Sequence, residues 1–278
     1  MPGPKKLDPS SSPRALLGAE LRHRREKSGL SQEELGLPLF VSGSFIGQLE
    51  SGTRRMQVDQ AQKLDEILDA DGFFVRNCVA LKKSKYPDHF AEAAEAEAVA
   101  KTIKEYAPQL IPGLLQTEAY ARAVFRGGLP TATENVIDGL TTVRLDRAQL
   151  LSDPTTPLVW AVLDEAVLRR QVGGPAVMAE ALRHILKLAR EHRIIVQVLP
   201  YSAGGHAAMA GSLKLMAFSD APPLAYLESL SSGQLLDDPA TVTEYELPYD
   251  LLVASALSPE ASLALIESVA EDHLHEDQ

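Results

Sequence analysis

Apolar positions recur three and four apart through the first eighty residues, the spacing of helices that each bury one face. Leu17 and Leu21 mark the core side of a helix from Arg14 to Ser28, ended by Gly29. The next helix opens at Ser31, whose hydroxyl can accept a backbone N–H while Glu34 reaches back to close a capping box. Its apolar positions are Leu35 and Leu39, and Pro38, which removes a backbone donor, predicts an early end. A second capped segment turns Phe45, Ile46 and Leu49 toward the same core and stops at Ser51-Gly52, where glycine can take the left-handed conformation. Val58 to Leu68 and Asp71 to Leu81 complete five short helices, the middle pair arranged helix, tight turn, helix.

Beyond a basic, Pro-containing break, KKSKYPD, the pattern changes twice. FAEAAEAEAVAKTIKEY, from Phe90 to Tyr106, is rich in strong helix formers and sets Glu97 four residues before Lys101, which predicts one long connecting helix. A Pro-bounded turn then leads to helices over Glu118–Arg126 and Thr133–Leu151, the latter with a mixed face carrying Arg144 and Arg147. Past Asp153-Pro154 short apolar runs replace the helical period. Leu158–Leu163, Ile194–Leu199, Leu213–Phe218 and Leu224–Leu230 read as strands, and Gly173-Gly174-Pro175 opens a helix between the first two. Helices over Ala240–Ala256 and Pro259–Ala270 close the chain. The expected fold is multidomain: an all-α five-helix N-terminal domain followed by an α+β domain with a small mixed sheet. The expected boundaries are a disordered leader at 1–12, the helical domain at 13–81, a linker at 82–89, the α+β domain at 90–270 and a tail at 271–278.

A length of 278 residues suits two such domains. The single cysteine, Cys78, excludes an internal disulfide framework and the common zinc spacings, and is expected as a small buried hydrophobe. No apolar run is long enough to span a bilayer, and the polar, Pro-rich start lacks a signal-peptide core, so a cytoplasmic protein without membrane contact is expected. The net charge of −11 argues against nucleic acid until it is split. Residues 1–90 hold 14 Lys/Arg against 12 Asp/Glu, leaving 13 against 26 for the remainder. Local positive charge is what phosphate requires, and Arg22, Arg24, Arg25, Lys27, Arg54 and Arg55 supply it.

Leu30-Ser31-Gln32-Glu33-Glu34-Leu35, then Val41-Ser42, Ser44, Ile46, Glu50, Gly52 and Arg54-Arg55, resemble the lambda-repressor-like (XRE) helix-turn-helix family. That resemblance implies that Gln32 touches a phosphate and that exposed residues early in the second helix, Gly43, Ser44, Gly47 and Gln48, approach base edges in the major groove. With Ser42, Thr53, Arg54 and Arg55 they form the expected DNA-facing set. The chain departs from the family at position 40, where Phe stands in place of the usual turn glycine, and its glycines at 43 and 47 offer no side chain to a base. Pro108–Thr117, Trp160–Glu165, Gly173–Met178 and Val196–Pro200 resemble the uncharacterised C-terminal domain of many XRE regulators in filamentous actinobacteria. This second resemblance implies a developmental or antibiotic-production regulator, antitoxin-like, often encoded beside a very small partner protein.

Candidate chemistry is sparse. Asp164, Glu165, His206, Lys214 and Glu228 lie near predicted strands, but their spacing fits no catalytic template, and His184 and His192 stand too far apart to share a metal ion. No enzyme activity, cofactor or metal is expected. Tyr201, Gly204, Gly205 and His206, in the loop after the clearest strand, form a candidate effector loop because glycines let a ligand approach backbone. The expected protein is a DNA-binding, autoregulating transcriptional regulator acting on double-stranded DNA as a homodimer, its second domain binding a small partner protein or a small-molecule effector. The competing expectation is an interaction protein whose degenerate helix-turn-helix no longer reads DNA and which sequesters a small partner.

Overall fold

The computed structural model describes residues 9, 13–80, 86–153, 155, 157–230 and 232–276. The expected leader, apart from residue 9, and residues 82–85 of the expected linker lie outside them. Five helices make up the N-terminal part: α1 (Pro13–Lys27), α2 (Gln32–Gly36), α3 (Gly43–Ser51), α4 (Val58–Ile67) and α5 (Phe73–Ala80). Leu17, Leu21, Leu35, Phe45, Ile46, Leu49, Leu64 and Phe74 meet in one buried core. Burying each such side chain contributes about 1.5–3 kcal/mol. Cys78 joins this core, its thiol donating to the Met56 carbonyl at 2.8 Å. The α1–α3 crossing is close because residue 18 is glycine: a Cβ there would meet the Glu50 carbonyl oxygen and stand 2.6 Å from that of Leu49.

The second part is built on one six-stranded sheet: β1 (Thr102–Ala107), β2 (Leu158–Asp164), β3 (Ile194–Leu199), β4 (Leu213–Ala217), β5 (Leu224–Glu228) and β6 (Gly233–Leu236), in the order β3-β2-β1-β4-β5-β6. β1, β2 and β3 run parallel, while β4, β5 and β6 add on antiparallel, with Ile103 opposite both Val159 and Met216. Side chains alternate across it. Ile103, Val159, Val196 and Leu224 belong to the core shared with α10 (Pro175–Arg190) and α12 (Pro259–Glu276), whereas Tyr106, Val162, Leu199 and Leu213 pack with Val242, Tyr249 and Leu252 of α11 (Pro239–Ser255). The helices α7 (Glu118–Gly128), α8 (Glu134–Ala148) and α9 (Glu165–Arg169) fill the connections. Among the described residues no single helix is long and apolar enough to cross a membrane.

The long helix expected over Phe90–Tyr106 does not form. Helix α6 (Asp88–Glu97) ends where the alanine-rich run ends, and the rest becomes β1 in the middle of the sheet. Ile103 and Tyr106 point to opposite faces and both are buried, and that burial outweighs the helix preference of Lys104 and Glu105. Glu97 consequently does not pair with Lys101. Its fully buried carboxylate bonds Lys214 on β4 and lies 3.5 Å from Arg147 on α8, whose guanidinium stacks 4.5 Å from the Phe90 ring. Burial pushes the Glu97 carboxyl up, but Lys214 and Arg147 outweigh it and hold it below the usual range. This cluster fixes α6 to the sheet. β6, which the sequence pattern did not suggest, forms the sheet edge beside α6.

Candidate nucleic-acid interface

The helix-turn-helix is assembled by local chemistry. The Ser31 hydroxyl accepts from the Glu34 N–H at 3.1 Å and the Glu34 carboxylate accepts from the Ser31 N–H at 2.7 Å, closing the capping box. Helix α2 stops at Gly36, and Pro38 lies in a 3-10 turn, Leu37–Leu39, that does not need its missing N–H. Phe40 makes the turn with φ of 58°, the left-handed conformation its position demands, and its ring is left exposed. Ser42 then caps α3, accepting from the Phe45 N–H at 3.1 Å, and Gly52, with φ of 72°, ends it. Glu50 ties three helices together, taking Arg25 from α1 in a bidentate pair and Gln32 from α2 at 2.9 Å.

These bonds assign several expected phosphate contacts a different task. Arg25 is buried in its pair with Glu50 and also donates to the Leu30 carbonyl, so it does not face outward. Gln32 is held by Glu50. Arg22 pairs with Glu26, and Arg24 with Glu20 and the Asp69 carbonyl. Gly43 and Gly47 do not stand open toward a ligand: a Cβ at 43 would lie 3.2 Å from the Glu33 nitrogen, and one at 47 would lie 3.3 Å from the Gln32 side chain. Glycine at both positions lets α2 and α3 close.

Two of the remaining members, Ser44 and Arg54, meet the second domain. The Ser44 hydroxyl donates to the Asp237 carbonyl at 3.2 Å. Gln48, one turn further along the same face, is fully buried, with both amide atoms lacking a hydrogen bond among the described residues. The expected exposure of this base-reading position is therefore not observed. Thr53 is buried as well, its hydroxyl donating to the Gln48 carbonyl at 3.2 Å. Arg54 stacks 4.3 Å from the Phe45 ring and lies between two carboxylates, 2.9 Å from Asp237 and 3.6 Å from Glu92. Two flanking contacts extend the seam: Gln57 donates to Glu92 at 2.6 Å, and Arg14 pairs with Glu95 at 2.7 Å. Arg55 is half-buried. Glu92, Glu95 and Asp237 were not singled out from the sequence; the acidic excess after residue 90 was their only signal.

The candidate effector loop is tied to the carboxyl ends of the parallel strands. Tyr201 opens a 3-10 turn, Gly204 takes φ of 67°, and the His206 ring packs edge-on against Tyr106 with its Nε2 3.3 Å from the phenol oxygen. The Tyr106 hydroxyl also donates to Asp164 at 3.3 Å; burial and then the Asp164 charge raise its pKa well above the usual range for a phenol. Asp164 caps α9 through the Ala166 N–H, and Glu165 accepts from the Tyr201 N–H at 2.9 Å. Both carboxylates thus hold backbone. Tyr201 and Met209 remain largely exposed, and Gly205 is exposed between them. Among the described residues no group of three or more His, Cys, Asp or Glu is placed to hold a metal ion.

Residues 90–268 match a family described as a domain of unknown function (DUF5753), and residues 16–72 match one described as a helix-turn-helix domain. The second match suggests a DNA-binding regulator and gives no indication of an enzyme. No curated protein and no solved structure matches the chain.

Proposed function

Since this chain belongs to the DUF5753 family and carries a helix-turn-helix domain ahead of that family's own domain, we propose that it is a cytoplasmic transcriptional regulator that binds double-stranded DNA. The observation that carries this reading is the intact helix, turn, helix geometry of α2 and α3, both serine-capped, with Arg54 and Arg55 just past the glycine that ends α3. In this reading residues 13–81 dock on the duplex. Arg54 and Arg55 hold phosphates, and Ser44 and Gln48 supply the base contacts once they are free of the second domain. Two copies bind a two-fold site, because one unit of this size covers too little DNA to bind tightly. Residues 90–270 receive the signal, either a small partner protein or an effector at the Tyr201–His206 loop, and the regulator acts on its own promoter in an antitoxin-like circuit.

A second reading is favoured by the glycines at 43 and 47, which face α2 and bring no side chain toward DNA. In it the helix-turn-helix is a docking module and the chain acts by sequestering a partner. The two separate in one measurement: binding of the purified full chain to its own upstream region against a scrambled duplex of equal length, at two salt concentrations. A specific excess that survives the higher salt supports the regulator. Equal, salt-sensitive binding to both duplexes sinks it in favour of the docking module.

A further inference from the structure

We infer that the acidic edge formed by α6 and the end of β6 is an intramolecular docking site for the helix-turn-helix, one that occupies its DNA-reading face in place of a duplex, so that the conformation described here is the DNA-incompetent one. The inference rests on the DNA-binding reading above and adds a control to it.

The chemistry at this seam imitates that of a nucleic acid. Arg54, placed to meet a phosphate, is met by the carboxylates of Asp237 and Glu92. Ser44, placed to meet a base edge, donates to a carbonyl oxygen. Arg14 and Gln57, on either side, are taken by Glu95 and Glu92. Each is an oxygen acceptor presented to a donor on, or directly beside, the face that enters the groove. The acidic partners are rigidly held. Glu92 and Glu95 sit on α6, which the buried Glu97 pairs lock to the sheet, and Asp237 stands between β6 and Asp238, the N-cap of α11. A duplex cannot lie along α3 while Asp237 occupies Ser44 and Arg54.

The fit is also imperfect in the way a reversible contact requires. Both amide atoms of Gln48, two guanidinium nitrogens of Arg54, and one carboxylate oxygen each of Glu95 and Asp237 are buried without an aligned hydrogen bond among the described residues. Arg54 and Asp237 are close enough to attract but poorly oriented to bond. Buried polar groups left in this state lower the net stability of the docked form. Docking and DNA binding are therefore mutually exclusive uses of one face, and apparent DNA affinity is the intrinsic affinity reduced by the fraction of chains that are open. Anything that binds the α6–β6 edge in place of the helix-turn-helix raises DNA affinity.

The duplex-binding test alters only the acidic side, leaving every DNA-facing residue in place. Full-length Glu92→Gln/Glu95→Gln/Asp237→Asn is compared with the unaltered chain for binding to its own upstream duplex and to a scrambled one, at a single salt concentration. A charge-matched control, Glu244→Gln/Glu246→Gln/Glu260→Gln, removes three exposed carboxylates elsewhere. The expected result is at least tenfold tighter binding for the first variant and less than threefold for the control. A thiol placed by Ser44→Cys reports the mask independently of DNA, since Cys78 is buried: maleimide labelling should be slow in the otherwise unaltered chain and at least tenfold faster with the three acidic substitutions. Equal labelling and equal duplex affinity in both backgrounds overturn the clamp and leave the DNA reading standing. Faster labelling with no duplex bound by any variant overturns the DNA reading, and this inference with it.

Discussion

Phe40 shows how a single residue can conflict with its position and be tolerated. It sits at φ of 58° with its ring 89 % exposed, and Lys63, 5.3 Å from the ring centroid, offsets part of the cost. A non-glycine residue in this conformation costs roughly 1–2 kcal/mol, against about 0.5–1 kcal/mol for an exposed cation–π contact. Phe40→Gly should therefore leave the chain as stable or up to about 1 kcal/mol more stable, measured by urea denaturation. Glu97 is the opposite case. Glu97→Ala strands Arg147 in the interior and leaves Lys214 with Glu105 alone, 3.3 Å away, and should cost roughly 3–5 kcal/mol. Because the folded carboxyl is held below its ordinary value, its contribution is present above the unfolded pKa and is lost as pH falls through the folded one. The stability gap between the unaltered chain and Glu97→Gln should thus be widest near neutral pH and narrow in acid; a gap that grows on acidification would refute the assignment. The capping serines and Gly52 could be read from the sequence because their roles depend on neighbours within four residues. The partner of Glu97 could not, since Lys214 lies 117 residues away.

At the scale of elements, the close crossing of α1 and α3 yields the sharpest prediction. A methyl at position 18 would press on the backbone carbonyls of Glu50 and Leu49, which have no rotamer by which to yield. Gly18→Ala should destabilise the N-terminal domain by about 1–3 kcal/mol despite alanine's better helix propensity, seen as an earlier thermal transition with the second domain's transition unmoved. Equal stability would mean that α1 can slide. The five helices were legible because their period, caps and breakers agree, and so were β2 to β5. The miss at residues 90–106 has a definite cause. Helix propensity was summed over the whole run, yet the choice at 102–107 is made by two flanking strands, β2 and β4, that offer a hydrogen-bonding partner on both sides. β6 was missed for a related reason: four residues beginning with Gly233 carry almost no period, and pairing with β5 alone makes them a strand.

The whole molecule adds a constraint that neither domain contains alone, namely that the face expected to read DNA is in contact with the acidic half of the chain. In a DNA complex the cations free to meet phosphate would be few, since Arg22, Arg24 and Arg25 are engaged within the helical domain. The logarithm of duplex affinity should therefore fall with the logarithm of salt at a slope of about −2 to −4 per protomer, measured by anisotropy titration. A much steeper slope would require phosphate contacts from surfaces outside the helix-turn-helix. The sequence by itself determined the helix-turn-helix, its caps, its left-handed turn and the α+β character of the remainder, because each rests on residues close in the chain whose spacing matches a backbone period. Only the tertiary structure decided that Gln32 and Arg25 brace Glu50, that Gly43 and Gly47 serve helix packing, that residues 102–107 form a strand, that Gln48 is buried, and that Ser44 and Arg54 meet Asp237 and Glu92. Those outcomes depend on which surfaces are left over once the cores have formed, and burial, unlike periodicity, is a property of the assembled chain.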